Sequence, residues 1–275
     1  MTRVVIVGAS GLLGRTLCAA FEACGDEVIG LTHAEVELTD PGSFEAIRAS
    51  RPGIVVNAAA WTDVDGCARD PDRAMRVNGM GAGAVAEVGA EAGALVIHVS
   101  TNEVFDGLEH RAYAEDDARN PINPYGASKL AGERAVAEAT DRHLIVRTAW
   151  LFGPDRGFPA RITAAADRAA ASGKPLTVVE DEWGNPTPAH ELATAIAAAA
   201  NLAMADLDLR VLHLAGEPPA SRYAWAGKIL ADHPVAIRPT QQAEFARDSR
   251  VPPHAVLALE RARALGLPAI GWANR

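Results

Sequence analysis

The chain has 275 residues, of which 49% are hydrophobic, 22% charged and 5% aromatic. This excludes a disordered or collagen-like chain and gives room for a nucleotide-binding domain with a smaller appended lobe, but not for a multi-module assembly. The formal charge of −9 argues against general affinity for nucleic acid or anionic lipid, both of which rest on Lys/Arg patches. The first 150 residues hold 13 Lys/Arg against 22 Asp/Glu and the remainder 13 against 13, so the second part tolerates anionic ligands better.

Cys18, Cys24 and Cys67 form no CxxC and read as packing residues of a reduced compartment. The eight histidines show no metal spacing, and no metal is expected. The opening MTRVVIVGAS lacks the pattern of a secretory leader. No apolar run reaches the ~18 residues of a membrane span, so a cytoplasmic protein is expected.

Val4 to Val7 is a short β-branched apolar run, as in a strand buried on both faces of a parallel sheet. A glycine turn follows, then Leu13, Leu17, Phe21 and Cys24 at helical spacing, a stop at Gly25-Asp26, and a second strand from Val28 to Leu31. The alternation continues with a strand at Ile54–Val56, a helix over 71–92, a strand at Leu95–Val99, a helix over 124–139 and a strand at Leu144–Val146. Such a rhythm predicts an α/β fold with a doubly wound parallel Rossmann sheet. Beyond Trp150, helices at Ile162–Ala171 and Leu192–Ala203 alternate with strands near Leu176–Val179 and Val211–Leu214. Proline-rich loops at 184–188, 217–219 and 251–253 suggest a smaller α/β lobe closing over the carboxyl edge of the sheet. The expected division is residues 1–152 with 188–215 for the dinucleotide domain and 153–187 with 216–275 for the substrate lobe.

The chemistry begins at Gly8-Ala-Ser-Gly11-Leu-Leu-Gly14, between a strand and a helix. Glycines there permit a tight turn and close backbone approach to a pyrophosphate, and the helix N-terminus supplies partial positive charge. The plain alternative is an ordinary strand-to-helix turn. At the tip of the second strand an acid would bind a ribose 2′-hydroxyl and repel a 2′-phosphate. Leu31, Thr32 and His33 stand there with Arg15 just behind the glycine turn, which favours NADPH, while nearby Glu35 and Glu37 keep NADH as the alternative. Asp40 is a candidate for the adenine amino group, or simply a helix N-cap before Pro41.

Tyr125-Gly-Ala-Ser-Lys129 places a phenol and an ammonium on one helix face. A nearby cation would lower the phenol pKa from about 10 and make Tyr125 a usable general acid. Ser100 and Thr101 emerge at the carboxyl edge of the sheet, where open α/β folds bind ligands.

These residues bring out a resemblance to the extended short-chain dehydrogenase/reductases and, within them, the dTDP-4-dehydrorhamnose reductase family. It is carried nearly end to end by GASGLLG from Gly8, VNAAAWTDVD from Val56, RVN from Arg76, STNEVFDG from Ser100, YAEDDARNPINPYGASKLAGE from Tyr113, RTAWLFGP from Arg147 and DEWGNPTPA from Asp181. The resemblance implies a catalytic trio of Thr101, Tyr125 and Lys129. It implies cofactor contacts from Gly8, Ser10, Gly11, Leu12, Leu13, Gly14, Asn57, Ala58, Ala59 and Asn78, together with Tyr125 and Lys129, to which the reading of the second-strand tip adds Thr32, His33 and Asp40 as candidates. A nucleotide-sugar substrate would meet Thr62, Val64, Asp65, Glu103, Trp150, Trp183 and Arg250, with Arg250 either the diphosphate anchor or a surface arginine and Trp183 either a stacking residue or one that packs the lobe. A homodimer is a family-level expectation.

The chain also departs from the pattern. The family usually reads Ser-Thr-Asp-Tyr where this chain reads Ser100-Thr101-Asn102-Glu103. Nucleotide-sugar 4,6-dehydratases read Thr-Asp-Glu there, so Glu103 raises an epimerase or dehydratase alternative, yet Asn102 cannot donate a proton as a carboxylic acid does. A non-catalytic NADP-binding regulatory subunit is a further alternative, opposed by the intact Tyr125 and Lys129.

Overall fold

The computed structural model describes residues 1–206 and 208–273. Its centre is a six-stranded parallel sheet of β1 (Arg3–Val7), β2 (Glu27–Leu31), β3 (Ile54–Asn57), β4 (Leu95–Thr101), β5 (His143–Thr148) and β6 (Val211–His213). The spatial order is β6-β5-β4-β3-β1-β2. The chain order therefore reverses between β1 and β3, and Val4 pairs with Val28 on one side and Ile54 on the other. Ligands of open α/β sheets bind beyond the carboxyl ends of strands at such a reversal.

Strands of this kind need cover on both faces. Helices Leu12–Ala23 and Ala189–Ala205 cover one face, burying Leu13, Leu17, Phe21, Leu192 and Ile196 against Val4, Ile6 and Ile97. On the opposite face Phe44, Ile47, Val85 and Val88 close over Val5, Val7 and Val55. Each large side chain buried this way contributes about 1.5–3 kcal/mol.

The expected elements are present, with most strands longer by one or two residues than expected. The exception is the helix expected over 71–92. It runs as an α-turn at Pro71–Ala74, a wider π-helical segment at Met75–Met80, and an α-helix at Gly81–Glu91. π-segments inside helices re-aim side chains and often mark functional sites; here the segment carries Asn78. Short elements without a clear periodic signature went unpredicted: helices Glu45–Ser50, Val64–Arg69 and Glu260–Ala264, and a strand at Ile237–Thr240 that pairs in parallel with Leu176–Val179.

Segments 153–187 and 216–273 carry these small paired strands and the helices Phe158–Ala171 and Arg222–Ile229. They enclose their own apolar cluster around Ile162, Ala166, Val178, Ala226 and Leu230. Among the described residues no helix is long and apolar enough to cross a membrane.

Candidate active site

The glycine loop is shaped by close backbone approach. Gly8 has φ +87°, and a Cβ there would stand 2.8 Å from the Ala59 amide nitrogen. A Cβ on Gly14 would collide with the Gly8 carbonyl oxygen. Gly8 and Ala9 donate to the Leu31 carbonyl at 2.9 and 3.0 Å, which locks the loop to the tip of β2. No side chain caps the helix that starts at Leu12, so its first-turn amides are available to an anion.

A cavity of about 540 Å³ opens over this loop, lined by Gly8, Ser10, Gly11, His33, Glu37, Thr39, Ala58, Ala59, Trp61, Arg73 and Arg76. Its cations are Arg73 and Arg76, whereas Arg15 reaches back to the Ser10 carbonyl at 2.6 Å and does not line it. Glu35 folds onto the Thr32 amide and hydroxyl at 2.8 and 2.9 Å, so its carboxylate is already engaged. His33 pairs with Glu37 at 3.0 Å. Asp40 accepts from the Gly42 amide at 3.0 Å, the capping geometry, and does not line the cavity. Leu12, Leu13 and Gly14 form the first turn beneath it.

Asn57 and Asn78 hold the loop that follows β3. Asn57 Oδ1 accepts from the Ala59 amide at 3.2 Å. Asn78 accepts from the Trp61 amide at 2.8 Å and donates to the Trp61 carbonyl at 3.0 Å and the Ser128 hydroxyl at 3.1 Å. The π-segment thereby ties this loop to the helix bearing Tyr125 and Lys129.

That helix, Pro124–Ala139, starts at Asn123, whose Oδ1 accepts from the Gly126 amide at 2.7 Å. The Asn123 side-chain nitrogen donates to Glu103 Oε2 at 2.6 Å and to the Arg250 carbonyl at 2.8 Å. Tyr125 lies half-buried beside Glu103 and the Thr101 hydroxyl. Lys129 is buried, and its Nζ donates to the Val99 carbonyl at 2.7 Å and lies 3.2 Å from His98 Nε2.

The expected lowering of the Tyr125 pKa by Lys129 is not what the geometry produces. The Lys129 amine is turned onto Val99 and His98, and burial together with the Glu103 carboxyl pushes the phenol pKa up, opposed only by the Thr101 hydroxyl. Burial brings Lys129 down to about 8, against the raising pull of Glu133. Burial also lifts Glu103 to about 7, although its bond to Asn123 favours the charged form.

Behind the helix lies a frame that the motifs did not reveal. Glu133 accepts from Ser100 at 2.6 Å and from two nitrogens of the buried Arg147 at 2.9 and 2.8 Å. Arg147 also donates to the Glu115 carbonyl at 3.0 Å. The carboxyl ends of β4 and β5 are thus fixed to the same helix. Ser100 and Arg147 face each other across the strands in register, a pairing that only the folded topology makes visible.

A second cavity, of about 470 Å³, is lined by Thr62, Val64, Asp65, Glu103, Phe158, Arg161, Glu182, Arg222, Phe245 and Arg247. Arg222 pairs with Glu182 at 2.9 Å and lies 3.5 Å above the Trp150 ring. Trp150 has φ +43° and stacks on Trp225, forming a floor under Arg222 without lining the cavity. Arg247 pairs with Asp65 at 3.2 Å. Trp183 is 41% exposed and packs near His254 outside the cavity, and the Arg250 side chain lines an adjacent surface cleft. Asn102 donates to the Ala255 carbonyl at 2.9 Å and ties the strand edge to the C-terminal segment. Arg161, Arg222 and Arg247 were missed as a group because they sit far apart in segments with weak patterning. No cluster of three or more His, Cys, Asp or Glu able to hold a metal occurs among the described residues.

Comparison with known proteins finds close relatives of the whole chain. A dTDP-4-dehydrorhamnose reductase of Streptomyces griseus is 36% identical over 96% of this chain and 88% of its own length. One from Mycobacterium tuberculosis is 39% identical over 89% of this chain and 81% of its own. The crystal structure of a Bacillus anthracis dTDP-4-dehydrorhamnose reductase in complex with NADP superposes with a TM-score of 0.89 at 28% identity, covering 98% of this chain and 95% of that one. The family model for the RmlD substrate binding domain matches residues 1–275, and the chain belongs to that family.

Proposed function

We propose that this protein is an NADPH-dependent reductase of the 4-keto group of a nucleotide-linked 6-deoxysugar, with dTDP-4-dehydro-6-deoxy-L-mannose as the leading substrate. The observation that carries the reading is the position of Thr101 and Tyr125 at the carboxyl edge of β4. Tyr125 neighbours Glu103 of the arginine-lined cavity, and Lys129 connects through His98 and Asn57 to the loop lining the glycine cavity.

The residues of the glycine cavity fit a dinucleotide phosphate. The uncapped helix start and the close-approach glycines suit a pyrophosphate, and Arg73 and Arg76 suit a 2′-phosphate where Glu35 is already engaged. NADPH, when bound, supplies the hydride that reduces the ketone carbon. Tyr125 donates its proton to the oxygen that becomes the alcohol, and Thr101 gives that oxygen a second hydrogen bond. A raised phenol pKa makes Tyr125 a weaker acid but still permits this direction, because it stays protonated across the neutral range and an alkoxide is a stronger base than a phenolate. Lys129 orients the cofactor ribose. Arg161, Arg222 and Arg247 offer the charge that a nucleoside diphosphate requires. Asn102, an amide held on the Ala255 carbonyl, gives Glu103 no carboxylic-acid partner for water elimination.

The test is cofactor absorbance with NADPH or NADH and a panel of dTDP-, UDP- and GDP-linked 4-keto sugars. Stoichiometric NADPH oxidation with a dTDP-4-keto-6-deoxysugar is expected. Turnover without net nicotinamide consumption, or inactivity with every sugar, would overturn the reading.

A further inference from the structure

His98 is fully buried in β4, and both of its ring nitrogens face nitrogen donors. Nδ1 lies 3.4 Å from Asn57 Nδ2, and Nε2 lies 3.2 Å from Lys129 Nζ. The Asn57 amide cannot turn round to relieve this without losing the bond that its Oδ1 accepts from the Ala59 amide at 3.2 Å. Lys129 is anchored too, at 2.7 Å on the Val99 carbonyl.

A neutral imidazole has one lone pair and one N–H, so it accepts from only one of two facing donors. An imidazolium accepts from neither, and burial next to Lys129 works against it. A neutral Lys129 amine has two N–H groups and can also donate to Nε2 with the ring proton left on Nδ1, but that keeps Asn57 Nδ2 facing an N–H after the lysine charge that held the tautomer is gone, so two arrangements matter. With the proton on Nδ1, the Nε2 lone pair accepts from a Lys129 ammonium and the Asn57 contact is left long. With the proton on Nε2, the ring donates to a neutral Lys129 amine while Nδ1 accepts from Asn57. Passing from the first to the second releases one proton from the pair to the cleft, and the Val99 bond survives in both.

We propose that His98 is a positioning residue for Lys129, a buried neutral ring that changes which nitrogen carries its proton as Lys129 changes charge. It thereby couples the lysine to Asn57 and the loop that floors the cofactor cavity. The other charged or titratable groups about Lys129 are Glu133, one turn on and neutralised by Arg147, and Tyr125, one turn back. The Met75–Met80 segment packed against the helix contributes the uncharged Asn78. The burial that brings Lys129 down to about 8 makes both charge states accessible near neutrality.

The proposal rests on the reading of Lys129 as the residue that orients the cofactor ribose, but its first test does not need activity. Nitrogen-15 NMR of histidine-labelled full-length protein, titrated through the Lys129 window near pH 8, reads the His98 tautomer directly. The ring should stay neutral throughout and move its proton from Nδ1 to Nε2. A single tautomer at every pH, or an imidazolium at the acid end, overturns the proposal. In the reductase assay His98→Leu should lower kcat about 10–100-fold, the worth of a hydrogen bond to a charged group. It should change the KM for NADPH less, and move the alkaline limb of the kcat/KM profile to lower pH. His98→Gln, which keeps a polar group facing Lys129, should restore much of the rate. An unshifted alkaline limb in both variants also overturns the proposal. A wild-type protein that switches tautomer yet reduces no 4-keto sugar refutes the functional reading and leaves this assignment standing; an active wild type with a fixed tautomer does the reverse.

Discussion

The two cavities use different materials. The glycine cavity is shaped chiefly by backbone: Gly8, Gly11 and Gly14 bring main chain against main chain, and an uncapped helix start offers its amides. The sugar-side cavity is shaped by side chains, with Arg222 on Glu182 and Arg247 on Asp65 supplying opposed charges from elements far apart in the chain. A backbone-built site binds a common chemical group and tolerates few changes of size. A side-chain-built site is retuned one residue at a time, and it is there that Glu103 departs from the family pattern.

Substitutions can break or sharpen this contrast. The largest effect belongs to the frame behind both cavities. Glu133→Gln leaves the buried Arg147 charge uncompensated and should cost about 3–5 kcal/mol in urea unfolding, damaging both sites together. Gly14→Val should overpack the loop against the Gly8 carbonyl at a cost of about 1–3 kcal/mol. NADPH titration by fluorescence should then show weakened binding, while a dTDP analogue binds as before. Arg247→Ala should do the opposite, raising the sugar KM about tenfold for a lost charge-assisted bond with the NADPH KM unchanged.

A further effect is a pH dependence. Glu103 is raised in the folded protein from 4.5 to about 7, so between those values the native state holds a proton that the unfolded chain has released. Stability therefore falls as pH rises through this window. Glu103→Gln removes the cost of ionising a buried carboxyl. Its Tm relative to wild type should climb from the acid to the alkaline side of the window in differential scanning calorimetry. A constant offset would show that Glu103 ionises freely in the folded state.

The contrast also explains what could be read before the fold was seen. The sheet, the glycine turn and the Tyr125–Lys129 helix were legible because each is local: an apolar run, a turn chemistry and an i, i+4 spacing. Asn123 as the cap of that helix, Asn78 in a π-segment and Ser100 on Glu133 emerged only from three-dimensional pairing. Arg250 is the candidate diphosphate anchor in sequence, yet the cation of that segment that lines the cavity is Arg247, three residues earlier. The tuning of Tyr125 illustrates the same limit. Spacing puts Lys129 on the right helix face, but the carbonyl of Val99 and the ring of His98 decide where its amine points.

The central claim is that the Tyr125 phenol supplies the proton that completes ketone reduction. Its most direct test is Tyr125→Phe under saturating NADPH and dTDP-4-keto-6-deoxysugar, with cofactor affinity measured in parallel. The account predicts a kcat lower by about 10²–10⁴-fold with NADPH binding little changed. A variant that reduces the sugar at the wild-type rate would contradict it.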